Sequence, residues 1–142
     1  MNDSIPEGFV SATDPVGFDK QFGTMYINES GDIPILGFRI KPQHLNFSGT
    51  LHGGALAVFA DWQCVPAKLL ANTRVHTPTI SLSIDYLEPA YEGDWLEMHA
   101  RLDKRTGKML FSSADFVVGE KLIARSKAIY RLTKVEGVLL GV

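Results

Sequence analysis

The amino-acid sequence predicts an α+β fold in which a curved antiparallel β-sheet wraps around one long central helix. Three observations carry this expectation. From about Gly53 to Leu70 the chain places apolar groups on every side at 100° per residue, the pattern of a buried helix. After it, four successive segments alternate apolar and polar residues, the period of half-buried strands. Short glycine-containing turns join these segments, so they pair antiparallel with one polar face. The other face needs a cover, and the central helix is the long apolar element that can supply it.

Each element follows in chain order. The first 24 residues scatter Pro6, Gly8, Pro15, Gly17 and Gly23 among Phe9, Phe18 and Phe22. They predict an irregular lead-in, helical around Phe18, that docks through its rings. Short strands are expected at Met25–Asn28 and at Ile35–Pro42, the second alternating around Phe38 and Ile40. Pro66 falls inside the helical stretch, where a missing N–H and ring clash should break it at Val65, with a further turn through Lys68 and Leu70. Ile80, Leu82, Ile84 and Tyr86 then alternate with Thr79, Ser81, Ser83 and Asp85. Gly93-Asp94 turns the chain into Leu96, Met98, Ala100 and Leu102, which alternate with Glu97, His99, Arg101 and Asp103. Turns at Thr106-Gly107-Lys108 and Val118-Gly119-Glu120 precede a last strand alternating Ala124, Ser126, Ala128, Tyr130 and Leu132 with Arg125, Lys127 and Arg131. No repeat, low-complexity run or linker divides the chain, and residues 1–142 read as one domain.

Composition narrows the function classes. A formal net charge of -2 carries no basic footprint for nucleic acid. The lone Cys64 excludes an internal disulfide and a cysteine zinc cluster, and points to a reducing compartment. The N-terminus has neither a basic nor an apolar leader segment. The longest uncharged run, Pro42 to Ala60, is too polar to span a bilayer. A cytoplasmic location, no membrane and no nucleic-acid partner are the resulting expectations.

Asp61 is the one charged residue between Gly53 and Ala67. A carboxylate on a buried helix is costly unless it is paired or used, and one withdrawn from water holds its proton more tightly. That suits a general base or a nucleophile near neutral pH; the alternative is an Asp that bonds backbone groups at a subunit interface. Just upstream, Asn46-Phe47-Ser48-Gly49-Thr50-Leu51-His52-Gly53-Gly54 leads into the helix N-terminus. Its glycines admit close approach to a backbone whose first N–H groups lack internal partners and would stabilise an oxyanion. Cys64 reads as a buried inert thiol, and the four histidines show no metal-ligand spacing.

Asn46-x-x-Gly49-x-x-His52-Gly53-Gly54, followed by Asp61, resembles the signature of the phenylacetic-acid-degradation (PaaI-type) hot-dog acyl-CoA thioesterases. The resemblance extends over roughly residues 35–134. It implies the hot-dog fold and hydrolysis of an acyl- or aryl-CoA thioester without metal or other cofactor. It also implies roles: Asp61 activates water or attacks directly, and the Gly53 N–H polarises the thioester carbonyl. Asn46 positions nucleophile or substrate, His52 supports the loop, and Thr79 stands where the family carries a strand hydroxyl, usually serine. The family's sites are shared between subunits, so a homodimer or homotetramer is expected. Gly54 and Trp62 are candidate substrate-binding residues beside them.

Coenzyme A carries three phosphate groups. Arg101, Lys104, Arg105, Lys108, Arg125, Lys127 and Arg131 place seven of the 14 Lys and Arg in the C-terminal strands and turns. Charge-assisted bonds from such a group suit phosphate, and Arg105, Lys108 and Arg125 are the candidates for it; for any one of them a solvated sheet face is the competing reading. The competing reading of the whole chain is a non-catalytic acyl-CoA-binding hot-dog module, which would keep the Gly53-Gly54 cradle but would not need a carboxylate at 61.

Overall fold

A computed structural model of the protein describes residues 3–12 and 14–136. Seven strands form one antiparallel sheet in the order β1-β2-β3-β5-β6-β7-β4. They are β1 (Val10–Ser11), β2 (Tyr26–Asn28), β3 (Ile35–Arg39), β4 (Thr79–Tyr86), β5 (Trp95–Arg105), β6 (Met109–Val118) and β7 (Lys121–Arg131). The helices are α1 (Phe18–Phe22), α2 (Gly53–Asp61) and α3 (Cys64–Ala71). The expected curved sheet around a central helical segment is the fold observed.

The alternation read from sequence becomes the core. Leu96, Met98 and Ala100 of β5, Leu110, Ala114 and Phe116 of β6, and Ala124, Ala128 and Tyr130 of β7 all face inward and are buried. Phe59 of α2 meets this surface, edge-on to Phe38 at 4.7 Å between centroids and to Phe116 at 5.9 Å. Register shifts between Leu102 and Lys104 and between Phe116 and Val117 mark bulges, devices that bend a strand. The second expected strand is shorter than its pattern, because Pro42 opens a 3-10 turn, Pro42–His44, rather than continuing it. The lead-in docks through Phe9, edge-on to Trp95 at 5.1 Å, and through buried Phe22. Phe18 does not dock: it is 73% exposed.

The central helix breaks earlier than the sequence reading placed it. The interruption lies at Trp62–Gln63, between α2 and α3, and not at Val65. Pro66 sits in the first turn of α3, where no N–H is required, so the proline is accommodated without a further break. At the interruption Trp62 N–H reaches Phe59 O and Gln63 N–H reaches Ala60 O, tightening the last turn. The Asp61 carbonyl is capped from the sheet by Tyr130 Oη at 2.8 Å. Ser126 Oγ donates to Gln63 Oε1 at 2.8 Å and ties the next residue to the same strand. The all-round apolar character also has a different cause on each side of the break. Residues 64–68 of α3 are buried, whereas in α2 only Leu56, Phe59 and Ala60 are, and its outer face lines a cavity.

Two stability outcomes follow. Tyr130 is buried and burial pushes its phenol well above the ordinary value, so it remains a donor. Tyr130→Phe leaves the Asp61 carbonyl without that donor and should cost about 1–3 kcal/mol in urea unfolding at unchanged m-value; a loss below about 0.5 kcal/mol would mean another group caps it. His44 is buried, with Nδ1 accepting from Lys41 N–H at 2.9 Å and Nε2 against Phe22 O at 2.6 Å. Burial holds its imidazole below the ordinary 6.5; the Phe22 bond works in the opposite direction, and Lys41 adds to the lowering. The folded state therefore resists a proton the unfolded chain accepts. Stability is complete above the unfolded value and declines as pH falls from it toward the folded one. Melting temperature should drop between about pH 7.5 and 5.5, where ordinary carboxylates stay ionised, and His44→Gln should flatten that slope; an unchanged slope would assign it to other groups.

Candidate functional site

Residues 46–54 form the approach to α2. Asn46 Oδ1 accepts the N–H groups of Ser48 at 2.9 Å and Thr50 at 3.1 Å, and its Nδ2 donates to Thr50 Oγ1 at 3.0 Å. The turn between them uses Gly49 at φ +81°, a conformation that favours glycine. Leu51 N–H then bonds Ala90 O at 2.9 Å and His52 N–H bonds His44 O at 2.8 Å, fixing where the helix begins.

His52 is the N-cap. Its Nδ1 accepts the Gly54 N–H at 2.8 Å, as a serine or aspartate oxygen does at other helix starts. A Cβ on Gly54 would lie 2.9 Å from that nitrogen, so residue 54 is glycine because the cap lies against it. Among the described residues the Gly53 N–H meets no acceptor. The Gly53 carbonyl accepts from Tyr86 Oη at 2.7 Å, and the Tyr86 ring lies against the glycine where a Cβ would stand.

Asp61 ends α2 and is half-buried, not engulfed as its apolar surroundings in sequence suggested. Thr79 Oγ1 donates to Asp61 Oδ1 at 2.7 Å. Thr79 and Tyr130 are direct partners across β4 and β7, so strand register aims two hydroxyls at one residue, the second reaching its carbonyl. Asp61 and Thr79 line a cavity of about 380 Å³ with Gly54, Trp62, Val58 and Leu82. Cys64 borders the same cavity, but burial pushes its thiol up to about 12, so it stays protonated and poorly nucleophilic.

The structure thus brings Asp61, Thr79, Trp62 and Gly54 to one cavity. It keeps Asn46 and His52 inside the loop, with their inward atoms engaged by backbone. Gly53 and Asp61 stand eight residues apart on one helix, about 12 Å along its axis at 1.5 Å per residue. The basic candidates do not line this cavity. Arg105 Nη1 bonds Ala71 O at the far end of α3, Lys108 is exposed in the β5–β6 turn, and Arg125 Nε lies 3.3 Å from Asp115. Sequence reasoning missed Tyr86 and Tyr130 as site residues. Each was visible as a tyrosine on a strand face, and a tyrosine hydroxyl that packs inward usually finds a partner; which partner it finds is a matter of register.

The Thioesterase superfamily model matches residues 48–124, from the loop through β6 and into β7. The chain is 30% identical over 131 residues to the putative esterase PA0474 of Pseudomonas aeruginosa, covering 91% of this chain and 98% of that protein. It is 27% identical over 131 residues to acyl-coenzyme A thioesterase 13 of Homo sapiens, covering 89% and 93%. Its fold superimposes with a TM-score of 0.66 on a mutant of the phenylacetic acid degradation protein PaaI from Thermus thermophilus, at 23% identity over 77% of this chain and 93% of that one. With the site's geometry and these matches together, the chain belongs to the thioesterase superfamily.

Proposed function

We propose that the protein hydrolyses acyl- or aryl-coenzyme A thioesters to the free acid and coenzyme A, at a site completed by two copies of the chain. The observation that carries this reading is Asp61 itself: a carboxylate held at 2.7 Å by Thr79 on the wall of a mainly apolar cavity. Membership of the thioesterase superfamily supports the reaction class, and a relative named acyl-coenzyme A thioesterase supports the substrate class.

Thr79 occupies Oδ1 and orients the carboxylate, leaving Oδ2 for the reaction. As a base, Oδ2 takes a proton from water while the water oxygen adds to the thioester carbon; the C–S bond then breaks and the proton passes to sulfur. As a nucleophile, Oδ2 adds to that carbon, thiolate leaves, and water cleaves the resulting anhydride. Either route develops charge on the carbonyl oxygen. The free Gly53 N–H at the positive end of α2 is the donor suited to that charge. Yet about 12 Å of helix separates it from the carboxylate of its own chain, too far for both to serve one thioester. A two-fold arrangement of α2 helices brings Asp61 of one protomer opposite Gly53 of the partner subunit. In this reading Asn46 and His52 act by holding the loop, Trp62 and Gly54 line the acyl site, and Arg105, Lys108 and Arg125 form a basic margin for the coenzyme A phosphates.

Asp61→Asn keeps size but removes charge and basicity, so kcat should fall by about 10²–10⁴-fold, with acyl-CoA affinity near that of the unsubstituted protein. Full turnover by this variant would make Asp61 structural. Acyl-CoA binding with no hydrolysis across a broad panel by the unsubstituted protein would make the chain a binding module.

Shared sites have their own signature. Asp61→Asn and a Gly53→Pro variant, which lacks the N–H, should each be nearly inactive alone. Refolded together in equal amounts, they should recover about a quarter of normal activity, because half the dimers are mixed and each holds one intact site. No recovery, or a monomer in sedimentation at micromolar concentration, would count against shared assembly.

A further inference from the structure

α1 lies outside residues 48–124 matched by the family model, yet it borders the site. Two cavities flank it. The first, of about 380 Å³, holds Asp61 and Thr79; the second, of about 340 Å³, is bordered by Phe22, Leu45, His52 and Ala55. They share Phe18, Gly54 and Val58. Gly54 and Val58 are four residues apart and lie on one face of α2, so they form a ridge between the cavities. Phe18 borders both cavities beside that ridge.

The backbone beneath Phe18 is anchored while its ring is not. Four residues on, Phe22 is buried against Phe38 at 4.7 Å and His44 at 4.6 Å. On the next residue, Asp19 Oδ1 lies 3.5 Å from Trp62 Nε1, a contact to the break between α2 and α3. The ring of Phe18 is 73% exposed. A large apolar side chain left in water on an anchored helix, over the boundary between two partly apolar cavities, is poorly used by folding alone.

We propose that Phe18 determines acyl-group specificity, closing the Asp61 cavity to long linear chains and keeping it for compact or aryl acyl groups. The proposal rests on the thioesterase reading above. An acyl group whose carbonyl lies at Asp61 fills the first cavity. A longer chain must cross the Gly54–Val58 ridge to bury its remaining methylenes in the second, and the ring of Phe18 occupies that crossing. An aryl acyl group ends before the ridge and gains the ring as a wall.

The test compares kcat/KM for dodecanoyl-CoA with that for phenylacetyl-CoA. Phe18→Ala opens the crossing and should raise the dodecanoyl-to-phenylacetyl ratio at least about tenfold, the worth of two further buried methylenes. Phe18→Trp enlarges the barrier and should lower the same ratio, which keeps the test decisive if the alanine variant fails to fold. A ratio unchanged in both variants, or moved the same way by both, would overturn the proposal while leaving a thioesterase intact. An unsubstituted protein that hydrolyses neither substrate, nor any other acyl-CoA of a broad panel, would overturn the thioesterase reading and this inference with it.

Discussion

The bond from Tyr130 to the Asp61 carbonyl is the constraint around which the site is arranged. A helix that ends inside a protein leaves carbonyls without partners, and burying them unpaired is costly. Here the ending falls at the residue whose side chain borders the cavity, and the sheet supplies the missing donor through Tyr130. Because Tyr130 pairs with Thr79 across β4 and β7, the same register that caps the carbonyl delivers Thr79 to the carboxylate. Main chain and side chain of Asp61 are therefore positioned by adjacent strands: a one-residue shift of β4 against β7 would turn Thr79 to the opposite face and separate it from Tyr130.

The fold was legible because its signals are periodic. Alternation over eight to eleven residues survives tertiary packing, and β4 to β7 span the residues where it placed them. But β4 pairs with β7 at the sheet edge and not with β5 through the Gly93 turn, and a register shift at Ile80 leaves that side chain exposed. What escaped depended on a local choice between two acceptable structures. Pro66 forbids a helix interior but suits a helix's first turn, and the sequence cannot say which of these the chain takes until the break is located. The apolar outer face of α2 posed a similar ambiguity, since lining a cavity and being packed in a core demand the same residue types.

The site was legible in its parts and less so in its connections. Asp61 stood out as the one charge on an apolar helix, Thr79 came from a resemblance to a family signature, and the structure brings them together. The same resemblance named Asn46 and His52, but a motif does not reveal which polar atoms a loop consumes for itself: Asn46 is spent on Ser48 and Thr50, and His52 Nδ1 on Gly54. The basic residues show the opposite limit. Clustering in sequence across hairpins scatters side chains over a sheet face, where Arg105 bonds the Ala71 carbonyl and Arg125 lies beside Asp115.

β4 joins these threads. It reaches one end of α2 through Thr79 at Asp61 and the other through Tyr86 at Gly53. Seven residues of extended strand cover about 23 Å, against about 12 Å for the helix between those contacts. The long reach of the Tyr86 side chain to the Gly53 carbonyl takes up part of the difference. Among the described residues β4 pairs only with β7, so its other edge carries unpaired backbone groups, and Ile80 on it is 53% exposed. An open edge with exposed apolar side chains is a surface that proteins ordinarily cover. The strand that fixes both ends of the site is thus also an edge strand of the sheet. A chain that paired along this edge would bear on the contacts at Asp61 and Gly53, because the same strand supplies both Thr79 and Tyr86.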